Sequence, residues 1–278
     1  MERALFLLVS KSELRLWRAS EMRLENVISW DRFVVLGHRG NPRRKAENTL
    51  ESFVDAVSCG ADGVELDVHL SQDEVPVVCH DPQVLTTSGE KVTVGLAPWK
   101  VLSRLEVVLG ETTGRLCRLE EVLDALDRHL VDVELKDLPL GDPKLANSKV
   151  GQVAARVIKE RGAQDRAMLS SFYIPHLKKA ESVEPFVPRG WLLPPGVAAS
   201  DSIPLAAAEG MAYLLPHASG IPSDVAGLEK VVDLAQNSGI ELICWTVDEP
   251  DAARRLREAG ASGVITDDPE GIAAALRE

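Results

Sequence analysis

The sequence predicts an α/β protein, specifically a (β/α)8 TIM barrel, and three observations lead to this fold class. The chain has 278 residues, short apolar runs alternate with amphipathic segments along most of its length, and only 4% of its residues are aromatic. A core with so few aromatic rings must be built mainly from branched aliphatic residues, which suit buried parallel strands. Alternating strands and helices favour βα units, and barrels of this length commonly form one domain. We therefore expect a single domain over residues 1–278.

Nine apolar runs are candidate strands, one more than such a barrel needs. They are Phe33–Gly37, Gly63–Val68, Val75–Cys79, Val131–Leu135, Ala167–Ser171, Gly190–Leu193, Ala212–Leu215, Leu242–Val247 and Gly263–Thr266. Asp67 and Val75 are too close for a crossover helix, so the second and third runs are predicted to form a hairpin turning near Asp73 and Glu74. That register pairs residue i with residue 147 − i and places His80 opposite Asp67. Without the returning arm, eight parallel strands remain.

Between these runs the sequence carries helix signals and one long interruption. Asn48 followed by Glu51 predicts a capping box at the start of the first helix, and Gly60 is expected to end it. The apolar face of this helix is predicted to consist of Leu50, Phe53, Val54 and Val57. Residues 82–118 lack a sustained period and predict an insertion on the barrel rim, followed by a helix over Leu119–His129. The sequence does not decide whether residues 1–30 add a strand or helix at the barrel bottom.

Composition limits the partners and the compartment. The net charge of −12 and the pI near 5.1 argue against nucleic acid and anionic membrane surfaces as partners. No apolar run approaches the length of a membrane span, and Met1–Ser10 does not resemble a signal peptide. The four cysteines form no CxxC pair and three lie in or beside apolar runs, which indicates free thiols in a reducing compartment, the cytoplasm.

Acidic residues cluster at the ends of two predicted neighbouring strands. Glu65 and Asp67 are separated by one residue, so both side chains point to the same face of their strand. Glu134 and Lys136 repeat this spacing on the next barrel strand. Carboxylates that converge repel one another unless a cation lies between them, and oxygen ligands of this kind suit Mg²⁺ or Ca²⁺. We expect Glu65, Asp67 and Glu134 to hold a divalent metal ion, and Lys136 to face a phosphate.

Two histidines are predicted to lie beside these acidic residues. His38 and Arg39 directly follow the first strand, where barrel enzymes place catalytic residues. His80 closes the hairpin beside the acidic strand. Two histidines flanking a metal-bound phosphate can act as general acid and general base near neutral pH, and the planar guanidinium of Arg39 suits phosphate oxygens. His69, His129, His176 and His217 match no such pattern and are interpreted as structural.

Together these residues resemble the glycerophosphodiester phosphodiesterase family from about Val34 to the end of the chain. The motifs that carry the resemblance are Gly37-His38-Arg39-Gly40, Glu47-Asn48-Thr49, Glu65-Leu66-Asp67-Val68, Pro76-Val77-Val78-Cys79-His80-Asp81, Val133-Glu134-Leu135-Lys136, Ser170-Ser171-Phe172, Cys244-Trp245-Thr246-Val247-Asp248 and Gly263-Val264-Ile265-Thr266-Asp267. The resemblance implies metal-dependent hydrolysis of a small glycerophosphodiester to sn-glycerol 3-phosphate and an alcohol.

Residue roles follow from the same resemblance. It implies that His38 and His80 are the catalytic acid/base pair, and that Glu65, Asp67 and Glu134 are metal ligands. It also implies that the phosphate or the substrate is contacted by Arg39, Lys136, Glu47 at the rim and Trp245 at the glycerol end. In the family's usual mechanism the adjacent hydroxyl of the substrate attacks phosphorus and water opens the cyclic phosphate. The hairpin here reads Ser71-Gln72-Asp73-Glu74, with Glu where the family prefers Gly.

Other functions remain open at this stage. Some metal-dependent barrels polarise a carbonyl or an enolate, but the His-Arg-Gly and His-Asp pairs favour phosphoryl chemistry. A non-catalytic binding protein on the same scaffold would be indicated by the loss of a histidine or a carboxylate, and all five are present. A lipid-directed phosphodiesterase on this scaffold is the other alternative. The sequence does not distinguish the leaving alcohol, Mg²⁺ from Ca²⁺, or one oligomeric state from another.

Overall fold

The protein is described by a computed structural model over residues 30–136 and 149–277, and its centre is a closed barrel of parallel strands. In chain order the strands are β1 (Val34–His38), β2 (Gly63–Leu70), β3 (Pro76–Val78), β4 (Gln83–Thr86), β5 (Lys91–Thr93), β6 (Val107–Leu109), β7 (Thr112–Gly114), β8 (Cys117–Arg118), β9 (Leu130–Leu135), β10 (Ala167–Ser171), β11 (Arg189–Leu193), β12 (Tyr213–Pro216), β13 (Glu241–Cys244) and β14 (Gly263–Thr266). The helices are α1 (Leu50–Ser58), α2 (Trp99–Leu102), α3 (Leu119–Ala125), α4 (Val150–Glu160), α5 (Ile174–Glu181), α6 (Ala199–Ala208), α7 (Val225–Asn237), α8 (Pro250–Glu258) and α9 (Pro269–Arg277). Short 3-10 helices cover Val94–Leu96 and Ala218–Gly220.

Eight of these strands pair in parallel and close into the predicted barrel. The order is β1-β2-β9-β10-β11-β12-β13-β14, and β14 pairs with β1. Helices connect successive strands, so the (β/α)8 fold class is confirmed. An apolar cluster drawn from strands around the barrel, including Leu36, Met168 and Ile265, fills the interior. A second cluster packs the other faces of the strands against the helices.

The hairpin formed by β2 and β3 differs from the prediction by one residue in its register. Val68 is paired with Val78, so the sum of paired positions is 146 rather than 147. The amide of Ser71 donates to the carbonyl of Val75, which leaves a three-residue loop over 72–74 instead of a two-residue turn. Such loops need a left-handed residue at their end, and Glu74 supplies it with φ of 61°. Cys79 rather than His80 therefore lies opposite Asp67, where its amide donates to the Asp67 carbonyl.

The start of α1 also corrects the sequence analysis. Thr49, not Asn48, is the N-cap, and its hydroxyl accepts a hydrogen bond from the amide of Ser52. Asn48 instead has φ of 57° and is fully buried beneath the barrel mouth. The helix buries Ser52, Phe53 and Ala56 and leaves Val54 46% exposed, so the predicted apolar face was wrong at Val54. Gly60, at φ of 104°, ends the helix as predicted.

The segment predicted as a rim insertion forms a small separate sheet. Strands β4 to β7 pair antiparallel in the order β5-β4-β6-β7, and β8 pairs with β3 and returns the chain to the barrel. This sheet has its own apolar cluster, which includes Val84, Leu102 and Val107. Helix α3 then ends at Ala125, short of the predicted His129. Buried Arg166 donates hydrogen bonds to the carbonyls of the last turn, at Leu123 and Leu126, and so caps this end.

Two points of the sequence analysis concern segments beyond this framework. Residues 1–30, where a strand or helix was left open, lie almost entirely outside the described residues. Across the residues that the structure does describe, no helix combines the length and apolarity needed to cross a bilayer.

Candidate active site

Three carboxylates meet at the carboxyl end of the barrel. Strands β2 and β9 are paired so that Asp67 lies beside Glu134, and Glu65 points to the same side as Asp67. One oxygen from each of these three side chains lies within 4.8 Å of the others, and all three residues are buried. The sequence analysis grouped the same three residues from the spacing of acids at strand ends.

The electrostatic state of this cluster reflects burial and crowding. Burial raises the pKa of Glu65, and the neighbouring charges of Asp67 and Glu134 raise it further. Burial and Asp67 likewise raise the pKa of Glu134 to about 7. Burial alone would raise the pKa of Asp67, but Lys136 and Arg39 bring it well below its ordinary value. Lys136 and Arg39 thus favour the ionised form of Asp67, and a further cation would favour ionisation of Glu65 and Glu134.

Lys136 and Arg39 supply positive charge at the edge of the cluster. The Lys136 ammonium lies 2.8 Å from Oε1 of Glu134 and 3.1 Å from Oδ1 of Asp67. Nε of Arg39 lies 3.3 Å from Oδ2 of Asp67, and Nη1 donates to Oε1 of Glu47 at 3.0 Å. Glu47 thus contacts the site through Arg39. Arg39 has φ of 55°, and its amide donates to Oε2 of Glu65, so both its backbone and its side chain contact the acidic cluster.

The two histidines approach the cluster from different elements. His38 ends β1, with Nε2 4.0 Å from Oε2 of Glu65 and Nδ1 2.6 Å from Oδ1 of Asp267. His80 follows β3, and its Nδ1 lies 2.8 Å from Oδ1 of Asp81. Burial lowers the pKa of His80. Each imidazole therefore has Nδ1 held by a carboxylate and Nε2 left for the pocket.

One pocket of about 150 Å³ brings these groups together. Its polar lining consists of His38, Arg39, Glu65, His80, Glu134 and Lys136. Its apolar lining consists of Phe172, Leu192, Trp245 and Ile265. The Trp245 indole donates to the carbonyl of Leu215 and makes edge contacts with Phe172 and His217, at centroid distances of 5.7 and 5.0 Å. The ring of Trp245 is thereby fixed at one side of the pocket.

Sequence analysis did not place Asn48, Asp267 or Phe172 in this site. Asn48 donates from Nδ2 to Oδ2 of Asp67 at 2.8 Å and accepts the Asp67 amide at 3.2 Å, so its side chain fixes a carboxylate of the cluster. Asp267 pairs with His38, and Phe172 closes the apolar side of the pocket. The sequence could have indicated Asp267, because it follows the last strand and a closed barrel places that strand beside the first, which carries His38. No comparable feature of the sequence indicates the exposed Phe172.

Comparisons with known proteins agree with this arrangement. The model of the glycerophosphoryl diester phosphodiesterase family matches residues 38–271. A glycerophosphodiester phosphodiesterase from Caldanaerobacter subterraneus subsp. tengcongensis is 30% identical, over 88% of this chain and 98% of its own length. A lysophospholipase D from Rattus norvegicus is 25% identical, over 84% of this chain and 83% of its own.

A solved structure extends the comparison to the fold and to a bound product. The phosphodiesterase from Oleispira antarctica, determined in complex with sn-glycerol-3-phosphate, superimposes with a TM-score of 0.73. It is 25% identical, and the alignment covers 88% of this chain and 97% of that structure. The family resemblance expected from the sequence motifs is confirmed.

Proposed function

This chain belongs to the glycerophosphoryl diester phosphodiesterase family and is a phosphodiesterase of that family, and we propose that it hydrolyses glycerophosphodiesters to sn-glycerol 3-phosphate and an alcohol with the help of a divalent metal ion. The observation that carries the proposal is the convergence of three carboxylates, two histidines and two cationic side chains on one pocket. Family membership argues against a barrel enzyme that acts on enolates. The presence of the full set of chemical groups for phosphoryl transfer argues against a purely binding role.

The proposed metal site consists of Glu65, Asp67 and Glu134. The fit to Mg²⁺ or Ca²⁺ rests on three converging oxygen donors, and burial together with their mutual repulsion raises the pKa of Glu65 and Glu134. When bound, such an ion neutralises the negative charge of the phosphodiester and makes its phosphorus more electrophilic. Lys136, which contacts two of these carboxylates, lies where its ammonium would also meet a phosphate oxygen.

We assign the proton transfers to His38 and His80. One imidazole accepts a proton at Nε2 from the substrate hydroxyl that attacks phosphorus, and the other donates a proton to the oxygen of the departing alcohol. The new P–O bond replaces the bond to that alcohol and closes a cyclic phosphate. The carboxylates on their Nδ1 atoms, Asp267 and Asp81, leave Nε2 as the nitrogen available to substrate. When water then opens the cyclic phosphate, the two histidines exchange roles: the former acid accepts a proton from water and the former base donates one to the oxygen that leaves phosphorus. The protons therefore balance over the full cycle.

Arg39 and the apolar side of the pocket are proposed to position the substrate. The guanidinium of Arg39, held by Glu47 and Asp67, offers its remaining N–H groups to phosphate oxygens. Trp245, with Phe172 beside it, offers an apolar wall to the carbon skeleton of glycerol. A cavity of about 150 Å³ is below the roughly 300–1,000 Å³ of sites that enclose drug-sized ligands. We therefore place glycerol phosphate inside the pocket and the leaving alcohol outside it.

A lipid-bearing glycerophosphodiester is the second candidate substrate. Phe172 lines the pocket and is 41% exposed, the next residue, Tyr173, is 48% exposed, and an acyl chain would cover exposed rings of this kind. The relative from Rattus norvegicus that is named a lysophospholipase D supports testing this class.

The cytoplasmic location expected from the sequence is supported by four cysteines that form no disulfide, three of them buried.

A turnover screen tests the proposal. Purified protein with Mg²⁺, Ca²⁺ or Mn²⁺ would be given glycerophosphocholine, glycerophosphoethanolamine, glycerophosphoinositol, glycerophosphoglycerol and lysophosphatidylcholine. We expect sn-glycerol 3-phosphate from the small diesters, with Glu65→Gln as the inactive control for contaminating activity. Release of phosphocholine and free glycerol would contradict the proposed bond cleavage. Turnover confined to lysophosphatidylcholine would favour the second candidate.

A further inference from the structure

The last barrel strand places an acid against the first catalytic histidine. Strands β1 and β14 are paired so that Gly37 lies beside Thr266. His38, the last residue of β1, and Asp267, the first residue after β14, come next in the chain. The carboxylate of Asp267 meets Nδ1 of His38 at 2.6 Å, the shortest distance between His38 and any group described around it. The side chain of His38 is 19% exposed and that of Asp267 is 39% exposed, so the pair lies at the edge of the pocket.

Asp267 is itself held in place by its neighbours. Its backbone amide donates to Oδ1 of Asp248 at 2.8 Å, and the hydroxyl of Thr266 donates to the same oxygen at 2.9 Å. The next residue, Asp268, caps α9 by accepting the amide of Gly271. These bonds fix the backbone on both sides of Asp267 and leave Oδ1 of its side chain directed at His38. The pKa of Asp267 would rise on burial, but the contact with His38 lowers it, so it is a carboxylate at neutral pH.

From this geometry we propose that Asp267 is a positioning residue for His38. A carboxylate only accepts hydrogen bonds, so it fixes the imidazole proton on Nδ1 and leaves the lone pair of Nε2 to the substrate. It also stabilises the imidazolium that forms when Nε2 takes a proton. Asp267 is absent from the pocket lining and contacts His38, so we infer that it acts through His38 and not on the substrate.

The pair formed by His80 and Asp81 does not impose the same constraint. Asp81 is adjacent to His80 in sequence, and its side chain is 74% exposed. Water can therefore replace it as the acceptor for Nδ1 of His80. Asp267 comes from a different strand, and its backbone is anchored. We expect His38 to depend on Asp267 much more than His80 depends on Asp81.

This inference rests on the proposed function, and its test separates the two. Imidazole ¹⁵N spectra of ¹⁵N-histidine protein report which ring nitrogen carries the proton, without any turnover. The chain has six histidines, and His38→Ala identifies the signal of His38 by its loss. The kinetic arm compares Asp267→Asn with Asp268→Asn, a matched control that removes the neighbouring charge but keeps a good N-cap residue for α9.

In wild type we expect neutral His38 to carry its proton on Nδ1. Asp267→Asn should lower kcat on the order of 10²–10⁴-fold, as at other histidines deprived of their carboxylate, with KM changed by less than about threefold. Asp268→Asn should stay within about twofold of wild type. A proton on Nε2 of His38 in wild type, or equal kcat in the two variants, would overturn the inference. If Asp267→Asn does not fold, the wild-type spectrum alone decides. Absence of turnover in wild type would refute the proposed function and leave this spectral result standing.

Discussion

The two sides of the pocket are built from different strands and differ in chemistry. Strands β1, β2 and β9, with the hairpin arm after β3, contribute every charged or titratable group of the lining. Strands β10, β11, β13 and β14, or the residues directly after them, contribute Phe172, Leu192, Trp245 and Ile265. We call these the charged side and the apolar side. The separation indicates that the charged side handles the phosphate and the apolar side handles carbon.

Neighbouring strands explain why the charge is concentrated. The register of β2 against β9 places Asp67 next to Glu134, so acids from two strands share one small volume. Arg39 and Lys136 then bind these acids directly. Groups on the charged side thus depend on one another, whereas Leu192 and Ile265 belong to the apolar packing of the barrel interior. Substitutions on the charged side are expected to lower kcat, and substitutions on the apolar side to change KM.

Among single substitutions outside the proposed metal ligands, replacement of either histidine should lower kcat the most. His38→Ala and His80→Ala should each lower kcat on the order of 10²–10⁴-fold, the usual worth of a positioned acid or base. The double variant should lose much less than the product, because the two act as a unit. The pH profile of kcat/KM should be bell-shaped. A nitrophenyl ester, which needs no general acid, should rescue one variant and thereby identify the acid. His129→Ala is the control, and losses of only a few-fold in both single variants would contradict the assignment.

Arg39→Lys should have the next largest effect. The substitution keeps the charge but loses the planar fork, which raises the barrier by roughly 2–4 kcal/mol if that fork meets charge developing in the transition state. The measurement is kcat/KM on glycerophosphocholine. Arg43→Lys serves as the control, since Arg43 is 50% exposed and pairs with Asp268 outside the pocket. An unchanged kcat/KM for Arg39→Lys would remove Arg39 from the phosphate site.

Two adjacent residues allow a further test of the charged side. Asn48→Gly removes the amide that holds Asp67 but tolerates the positive φ, so the metal concentration for half-maximal activity should rise by about 10–100-fold. Thr49→Ala removes the cap of α1 and the hydrogen bond from the same hydroxyl to the carbonyl of Ala46, and it should lower the free energy of unfolding by about 1 kcal/mol without changing the metal requirement. Metal titrations of activity and urea unfolding distinguish the two. The same metal requirement in both variants would show that Asn48 does not support Asp67.

The apolar side should respond more weakly. Trp245→Leu removes the aromatic wall that we propose for the carbon skeleton of glycerol, so KM for glycerophosphocholine should rise about 3- to 10-fold with little change in kcat. Steady-state kinetics on two substrates with different alcohols checks this. A similar rise for both places Trp245 at the glycerol end, and a rise for one alone places it at the alcohol. A large fall in kcat with constant KM would contradict the comparison of the two sides.

Sequence reasoning predicted the charged side far better than the apolar side. Acids two residues apart at the end of an apolar strand, as at Glu65 and Asp67, are costly unless they have a function, so they stand out. Phe172 and Leu192 look like ordinary barrel or loop residues, and only the closed barrel brings them to the pocket. The barrel itself followed from the alternation of strands and helices.

Errors in the prediction came from local backbone geometry. The capping box assigned to Asn48 was wrong, because its left-handed backbone turns the side chain towards Asp67 and leaves the cap to Thr49. The hairpin register was wrong by one, because a loop ending in left-handed Glu74 needs one more residue than a two-residue turn. In both cases a residue other than glycine adopts a positive φ, which amino-acid preferences for backbone conformation do not predict.

Removal of metal tests the central claim most directly. Protein dialysed against EDTA and then against metal-free buffer would be assayed on glycerophosphocholine for release of sn-glycerol 3-phosphate. We predict that activity disappears and returns on addition of Mg²⁺, Ca²⁺ or Mn²⁺, because Glu65, Asp67 and Glu134 converge to within 4.8 Å. Asp67→Asn should remain inactive at the metal concentration that restores wild type. Full activity of the dialysed wild type in excess EDTA would contradict the account.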